Sequence, residues 1–109
     1  MGKFVITTRS NGEFQFNLKA DNGQVILTSQ GYSTHAACEN GIESVKKNAS
    51  SDAAFERNDS TNGKHYFNLK ATNGQVIGTS QQYETTASME TGIASVAKNA
   101  PEALVEELV

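Results

Sequence analysis

The sequence predicts an α+β domain in which two β-β-β-α repeats form one antiparallel sheet with two helices packed on one of its faces. A long segment returns almost letter for letter: Phe16-Asn17-Leu18-Lys19-Ala20-Asp21-Asn22-Gly23-Gln24-Val25-Ile26 comes back as Phe67-Asn68-Leu69-Lys70-Ala71-Thr72-Asn73-Gly74-Gln75-Val76-Ile77. Inside each copy, stretches of alternating apolar and polar residues are separated by Asn-Gly pairs, the pattern of successive hairpins. After each such meander the apolar spacing lengthens from two to about 3.6, which is the period of an amphipathic helix.

The match continues at constant offset from Thr28-Ser29-Gln30 to Thr79-Ser80-Gln81 and from Lys47-Asn48-Ala49 to Lys98-Asn99-Ala100. A unit of about fifty residues buries only about 60% of its unfolded surface and is marginal alone. The 109 residues are therefore read as a single pseudo-twofold domain, with repeat one at about 1–51 and repeat two at about 52–109. Ala49-Ser50-Ser51-Asp52 is too short to serve as a free linker.

In chain order, Lys3 to Arg9 alternates and is rich in β-branched residues, as a strand requires. Ser10-Asn11-Gly12-Glu13 reverses it; Asn-Gly suits a two-residue loop whose central residues both need positive φ. The next strand turns Phe14, Phe16, Leu18 and Ala20 to one side and Gln15, Asn17 and Lys19 to the other. Asp21-Asn22-Gly23-Gln24 makes a second such turn, and Val25 to Ser29 completes the meander. Cys38, Ile42, Val45 and Ala49 then mark one side of a helix, with Ser33 or Thr34 as N-cap, Lys46 and Lys47 in the last turn, and Asn48 as C-cap. Gly41 and Gly92 fall inside the two helices, where each costs about 1 kcal/mol relative to Ala, so a close backbone approach, helix to sheet, is expected at both. Phe55-Glu56-Arg57 is a polar counterpart of Phe4-Val5-Ile6 and suits an edge strand. The second meander occupies Lys64 to Ala71 and Gln75 to Ser80, and the second helix Thr86 to Lys98. Pro101 ends it. The tail from Glu102 to Val109 carries Leu104, Val105, Leu108 and Val109, too apolar to lie wholly in water, and is either a short strand or an amphipathic turn.

Composition removes several function classes. Nine basic against twelve acidic residues give a net charge of −3, which offers a phosphate backbone no attraction, so nucleic acid is not expected as a partner. No apolar run approaches the roughly 20 residues of a membrane span, and Met1-Gly2-Lys3-Phe4 opens no signal-peptide core. The expectation is a cytoplasmic monomer without membrane contact. A single cysteine excludes an internal disulfide and a cysteine zinc cluster; Cys38 matches Met89 in the other copy, which suggests packing for both.

These residues resemble a known family. The unit Phe-x-Leu-Lys-Ala-x-Asn-Gly-x-Val-Ile, then Thr-Ser-Gln-x-Tyr, then Glu-x-Gly-Ile-x-Ser-Val-x-Lys-Asn-Ala, is similar to the YegP-like family of small uncharacterised bacterial proteins, here as a tandem-repeat member. The resemblance covers nearly the whole chain twice. It implies β-β-β-α-β units that join in one sheet and exchange their terminal strands, so that Phe55-Glu56-Arg57 and the segment near Val105 to Val109 would be the crossing strands. It implies no activity and no functional residues.

Chemistry is sparse. His35 and His65 face Thr86 and Phe14 at their equivalent positions, which excludes a symmetric metal site; His35 is expected on the surface and His65 packed with its ring nitrogens satisfied. Asn58 to Gly63 resembles the start of a calcium loop, but Leu69 stands where its glutamate is needed. No nucleophile elbow, phosphate loop, dinucleotide fingerprint or zinc-protease motif is present, and no catalytic residue, metal or cofactor is assigned. Glu39 and Glu90 recur but are read as solvated helix residues. Tyr32 and Tyr83 are expected to pack. The remaining candidates are Gln15, Asn17, Lys19, Tyr66, Asn68 and Lys70 on the polar sheet face, which the repeat is expected to set side by side as a binding surface for a polar or acidic partner. The simpler alternative is that a one-sided sheet needs a wet face. The sequence thus favours a non-catalytic interaction or small-ligand-binding module over a structural or stress-related accessory protein, and over a small enzyme with a site between the repeats.

Overall fold

The four hairpin turns are built on glycine alone. In the computed structural model, which describes residues 2–107, Gly12 and Gly23 take φ of 86° and 85°, their counterparts Gly63 and Gly74 do the same, and no other described residue has positive φ. The expected two-residue loop with Asn at positive φ therefore does not form. The Arg9 N–H donates to the Glu13 carbonyl at 2.7 Å and the Gly12 N–H to the Arg9 carbonyl at 2.9 Å, which makes Ser10, Asn11 and Gly12 a type I turn closed by a left-handed glycine. The asparagine braces the turn through its side chain instead. Its Oδ1 accepts from the backbone N–H two residues on, at 3.0 Å for Asn11 and Glu13, and in the same way at Asn22, Asn62 and Asn73.

These turns connect β1 (Lys3–Thr8), β2 (Phe14–Lys19) and β3 (Val25–Ser29) in the first repeat and β4 (Phe55–Asp59), β5 (His65–Lys70) and β6 (Val76–Thr79) in the second. Helices α1 (His35–Asn48) and α2 (Thr86–Asn99) follow the two meanders, and β7 (Leu104–Glu107) closes the chain after a short 3-10 turn at Ala100–Glu102. The tail is thus a strand. All seven strands form one sheet in the order β4-β5-β6-β3-β2-β1-β7. Every pairing is antiparallel except that of β7, which runs parallel to β1. Both segments that follow a helix pass to the other repeat's half of the sheet: β4 comes after α1 and pairs with β5, while β7 comes after α2 and pairs with β1. β4 lies at an edge, as its polar sequence suggested.

Thr34 and Thr85 cap the helices, each accepting from the backbone N–H three residues on. The C-cap of α1 is Ala49 rather than Asn48. Asn48 is buried inside the last turn and donates from Nδ2 to the Ser44 carbonyl at 2.8 Å, a bond that Asn99 repeats with Ser95. Lys46 and Lys47 occupy the last turn. The helical glycines are explained by a side chain rather than by a second backbone. A Cβ on Gly41 would strike the hydroxyl of Tyr32 and come within 2.7 Å of its Cζ, and Gly92 meets Tyr83 in the same manner. Each tyrosine stacks on a strand phenylalanine, Tyr32 on Phe16 at 6.2 Å and Tyr83 on Phe67 at 6.4 Å between ring centres. The tyrosines are wedges between helix and sheet.

One hydrophobic cluster takes Phe4, Phe16, Leu18, Ile42 and Val45 from the first repeat and Phe55, Phe67, Leu69, Ile93 and Val96 from the second. Cys38 and Met89 both lie in it, and burial raises the Cys38 thiol pKa. The repeats meet where β3 pairs with β6, Thr28 opposite Thr79 and Ser29 opposite Gly78. Here the symmetry breaks: Leu27 corresponds to Gly78, and a Cβ on Gly78 would lie 2.8 Å from Leu27 Cγ. The two equivalent positions compete for the same space, and one large side chain facing one absent side chain fills it. Leu104 remains 70% exposed and Val105 48%, so β7 leaves more apolar surface in water than its sequence suggested. Leu108 and Val109 lie outside the described residues. Among the described residues no helix is long and apolar enough to cross a membrane.

Candidate binding site on the open sheet face

Strand alternation sends Phe16, Leu18, Phe67 and Leu69 into the core and leaves Gln15, Asn17 and Lys19 of β2, with Tyr66, Asn68 and Lys70 of β5, on the opposite face. All six are half-buried. They share the face but are not side by side: β3 and β6 lie between β2 and β5, which at ~4.8 Å per strand separates the two sets by roughly 14 Å.

In the second repeat the face is closed on itself around Glu56. Its Oε2 lies 2.7 Å from Lys70 Nζ, and its Oε1 accepts from Asn68 Nδ2 and Asn58 Nδ2, both at 3.1 Å. Thr79 Oγ1 donates to Asn68 Oδ1 at 2.7 Å, which fixes the amide with its nitrogen towards the carboxylate. Lys70 first, then Asn58 and Asn68, hold the Glu56 carboxyl at a pKa of about 2.

The first repeat presents the same frame without the acid. Asn17 pairs with Thr28 in register as Asn68 does with Thr79, and Lys19 stands where Lys70 stands. Val5, 2% exposed, lies opposite Asn17 as Glu56 lies opposite Asn68. Among the described residues the side chains of Asn17, Lys19 and Thr28 have no hydrogen-bond or ion-pair partner. Gln15 is engaged, accepting from Arg9 Nε at 2.7 Å, and Lys3, across from Lys19, pairs with Glu106 of β7 at 3.5 Å.

Between the two sets, over the junction of the repeats, lies a depression of about 560 Å³. It is lined by Val25, Thr28, Ser29 and Gln30, by their repeat counterparts Val76, Thr79, Ser80 and Gln81, and by Gly78. The lining is apolar at the valines, carries hydroxyls and amides elsewhere, and contains no ionisable side chain. The serines hold the strand ends that shape it. Ser29 Oγ accepts from the Phe16 N–H at 2.9 Å and donates to the Gln30 carbonyl at 2.8 Å, and Ser80 makes the same pair of bonds with Phe67 and Gln81. Sequence reasoning did not single out these serines, although Ser29 ends β3 and Ser80 directly follows β6, both buried, where a small polar residue signals a side chain bonded to backbone.

The other ionisable groups serve the scaffold. His65 Nδ1 is 2.6 Å from Asp59, as a packed and satisfied histidine should be. His35 is not a free surface residue: Nδ1 lies 3.4 Å from Glu39 and Nε2 2.8 Å from Glu107 of β7, and these carboxylates, Glu107 foremost, raise its pKa. Glu39 and Glu90 are correspondingly more than solvated helix residues. Glu90 takes both Nε and Nη2 of Arg57, at 2.5 and 3.0 Å, and its pKa is lowered by that guanidinium, while Asp52 binds Arg57 at 2.9 Å. Among the described residues no group of three or more His, Cys, Asp or Glu is placed to hold a metal ion.

A doubled meander-helix unit, one continuous seven-stranded sheet, helices over one face and amides and lysines on the other, define a class of duplicated α+β proteins with an open polar sheet face. The Domain of unknown function (DUF1508) matches the chain twice, over residues 10–56 and 60–107, each match beginning at the turn before a middle strand and ending in the strand after a helix. The chain is 54% identical over 107 residues to the UPF0339 protein in ptx operon 5'region of Stutzerimonas stutzeri, covering 98% of this chain and 96% of that protein. It is 46% identical over 106 residues to the UPF0339 protein YegP of Escherichia coli K12, covering 97% and 96%. The solution NMR structure of yegP from E. coli superposes with a TM-score of 0.93 at 46% identity, covering 97% of this chain and 91% of that one. A solution NMR structure of a UPF0339 protein from Shewanella oneidensis does so with a TM-score of 0.93 at 45% identity. The chain belongs to the DUF1508 family and, within it, to the UPF0339 proteins that include YegP.

Proposed function

We propose that this protein is a non-catalytic binding module that takes a small polar ligand on the open face of its sheet. The observation that carries this reading is the half-buried pair Asn17 and Lys19, without a partner among the described residues, beside the depression at the repeat junction. The polar ends of these two side chains still reach water, and a ligand that meets both exchanges those water bonds for direct, charge-assisted ones. In the second repeat a carboxylate supplies them. The absence of ionisable groups from the lining of the depression supports binding over proton transfer, since general acid or base work needs a titratable group within hydrogen-bond reach of the substrate.

Native mass spectrometry of the protein isolated from its own cells tests this. The expected result is a co-purifying adduct that disappears in the Asn17→Ala/Lys19→Ala variant, with a melting temperature unchanged within what about 0.5 kcal/mol would produce. An adduct retained at equal occupancy by that variant overturns the placement on this face.

A further inference from the structure

The two halves of the open face carry the same three side chains and differ in what those side chains meet. Asn68 and Lys70 meet the Glu56 carboxylate, and Thr79 holds the Asn68 amide in place. Asn17, Lys19 and Thr28 stand in the same register, with Val5 rather than an acid opposite Asn17. Building on the binding role assigned above, we propose that Asn17 and Lys19 form a receptor for the carboxylate of a small organic acid, whose body lies in the depression over the repeat junction.

Glu56 shows the chemistry in place within the same chain. One carboxylate oxygen meets a lysine at 2.7 Å and the other an asparagine amide at 3.1 Å, charge-assisted bonds stronger than those a neutral amide or alcohol would form. The charge balance agrees. In the second repeat Lys70 pairs with Glu56; in the first, Lys3 pairs with Glu106, and Lys19 has no ion-pair partner among the described residues. Glu106 is in register with Val5 but lies 3.5 Å from Lys3, and Glu13 pairs with Arg9. Val5 removes the internal acid from this half, and its side chain is covered by its neighbours, so an incoming carboxylate meets the outer ends of Asn17 and Lys19. Lys19 is in register with Val25, which lines the depression, so a molecule anchored by its carboxylate at Lys19 extends directly over the junction. The depression of about 560 Å³ offers the valine and threonine side chains of β3 and β6 to the body of such an acid.

The test is a nitrogen-15 NMR titration with benzoate as probe and benzamide as its neutral match. Benzoate should shift the Asn17 side-chain amide and the Thr28 backbone amide saturably, with an affinity at least tenfold above that for benzamide, and should leave the Asn68 side chain unmoved. Lys19→Met should abolish the response. Val5→Glu should abolish it too, because it builds the internal carboxylate that the second repeat already has. The converse variant Glu56→Val empties the second frame, so benzoate should now also shift Asn68; this gain keeps the proposal open to refutation if Val5→Glu fails to fold. Equal responses to benzoate and benzamide, no saturable shift in wild type and Glu56→Val, or a response to a glutamate-containing peptide but not to benzoate would each overturn it. Any of these results leaves the broader binding role standing if the co-purifying adduct is real, depends on Asn17 and Lys19, and carries no carboxylate.

Discussion

Replacing Leu27 with alanine should expose how closely the two repeats depend on one another. Leu27 is fully enclosed, and its Cγ occupies the space that a side chain on Gly78 would need. Leucine-to-alanine changes in cores cost about 2–5 kcal/mol, more when neighbours cannot move into the void. The facing residue is a glycine with no side chain to offer, so a loss near 4 kcal/mol is expected. For a domain of about this size 1 kcal/mol moves the melting temperature by about 4 °C, so the midpoint should fall by roughly 15 °C. Gly78→Ala alone should overpack the junction by about 1–3 kcal/mol. Together the changes should be milder than their sum, because the methyl group added at Gly78 enters the space that Leu27 vacated, with a coupling of about 1–3 kcal/mol. Urea denaturation followed by circular dichroism on the four proteins of this cycle measures it. Additive losses, agreeing within about 0.5 kcal/mol, would refute the idea that these two positions share one space.

Ser29→Ala should leave the buried Phe16 N–H without an acceptor and cost about 1–3 kcal/mol in equilibrium unfolding, with Ser80→Ala behaving alike at Phe67. His35 is held by Glu107 and Glu39, which raise its pKa above 6.5, so its contribution is complete below that value and fades as pH climbs through the folded-state pKa. The pH profile of the melting temperature should flatten on the alkaline side in His35→Gln. Glu56 titrates at about 2 rather than 4.5, so its contribution is present above pH 4.5 and is lost as pH falls towards 2. Glu56→Gln should remove that acid limb from the same profile.

The repeat made most of the architecture legible. Period-two stretches became β2 and β5 with little change, and the Thr34 and Thr85 caps stand where the pattern put them. Local signals misled where two solutions share a sequence: Asn-Gly fits both a two-residue turn and a three-residue loop, and the choice rests on whether asparagine or only glycine bears positive φ. The helical glycines signalled a close approach, but a single sequence does not name the partner, and a tyrosine ahead of each helix supplied it. The candidate site was half visible. Alternation assigned all six polar residues to one face, yet strand order, which decides that β3 and β6 separate them, is a tertiary property. The exchange of Val5 for Glu56 was present in the alignment of the copies, but its meaning depended on knowing that β1 and β4 lie beside Asn17 and Asn68.

The central claim is that two repeats close one core while their outer faces differ, and native-state hydrogen exchange on the intact chain addresses the shared core directly. The slowest amides of β2 and β5 should open with one free energy and one denaturant dependence, because Phe16, Leu18, Phe67 and Leu69 belong to a single cluster. If one repeat's amides exchanged through an opening that left the other repeat fully protected, with a clearly smaller free energy and slope, the halves would be independent and the claim would fail.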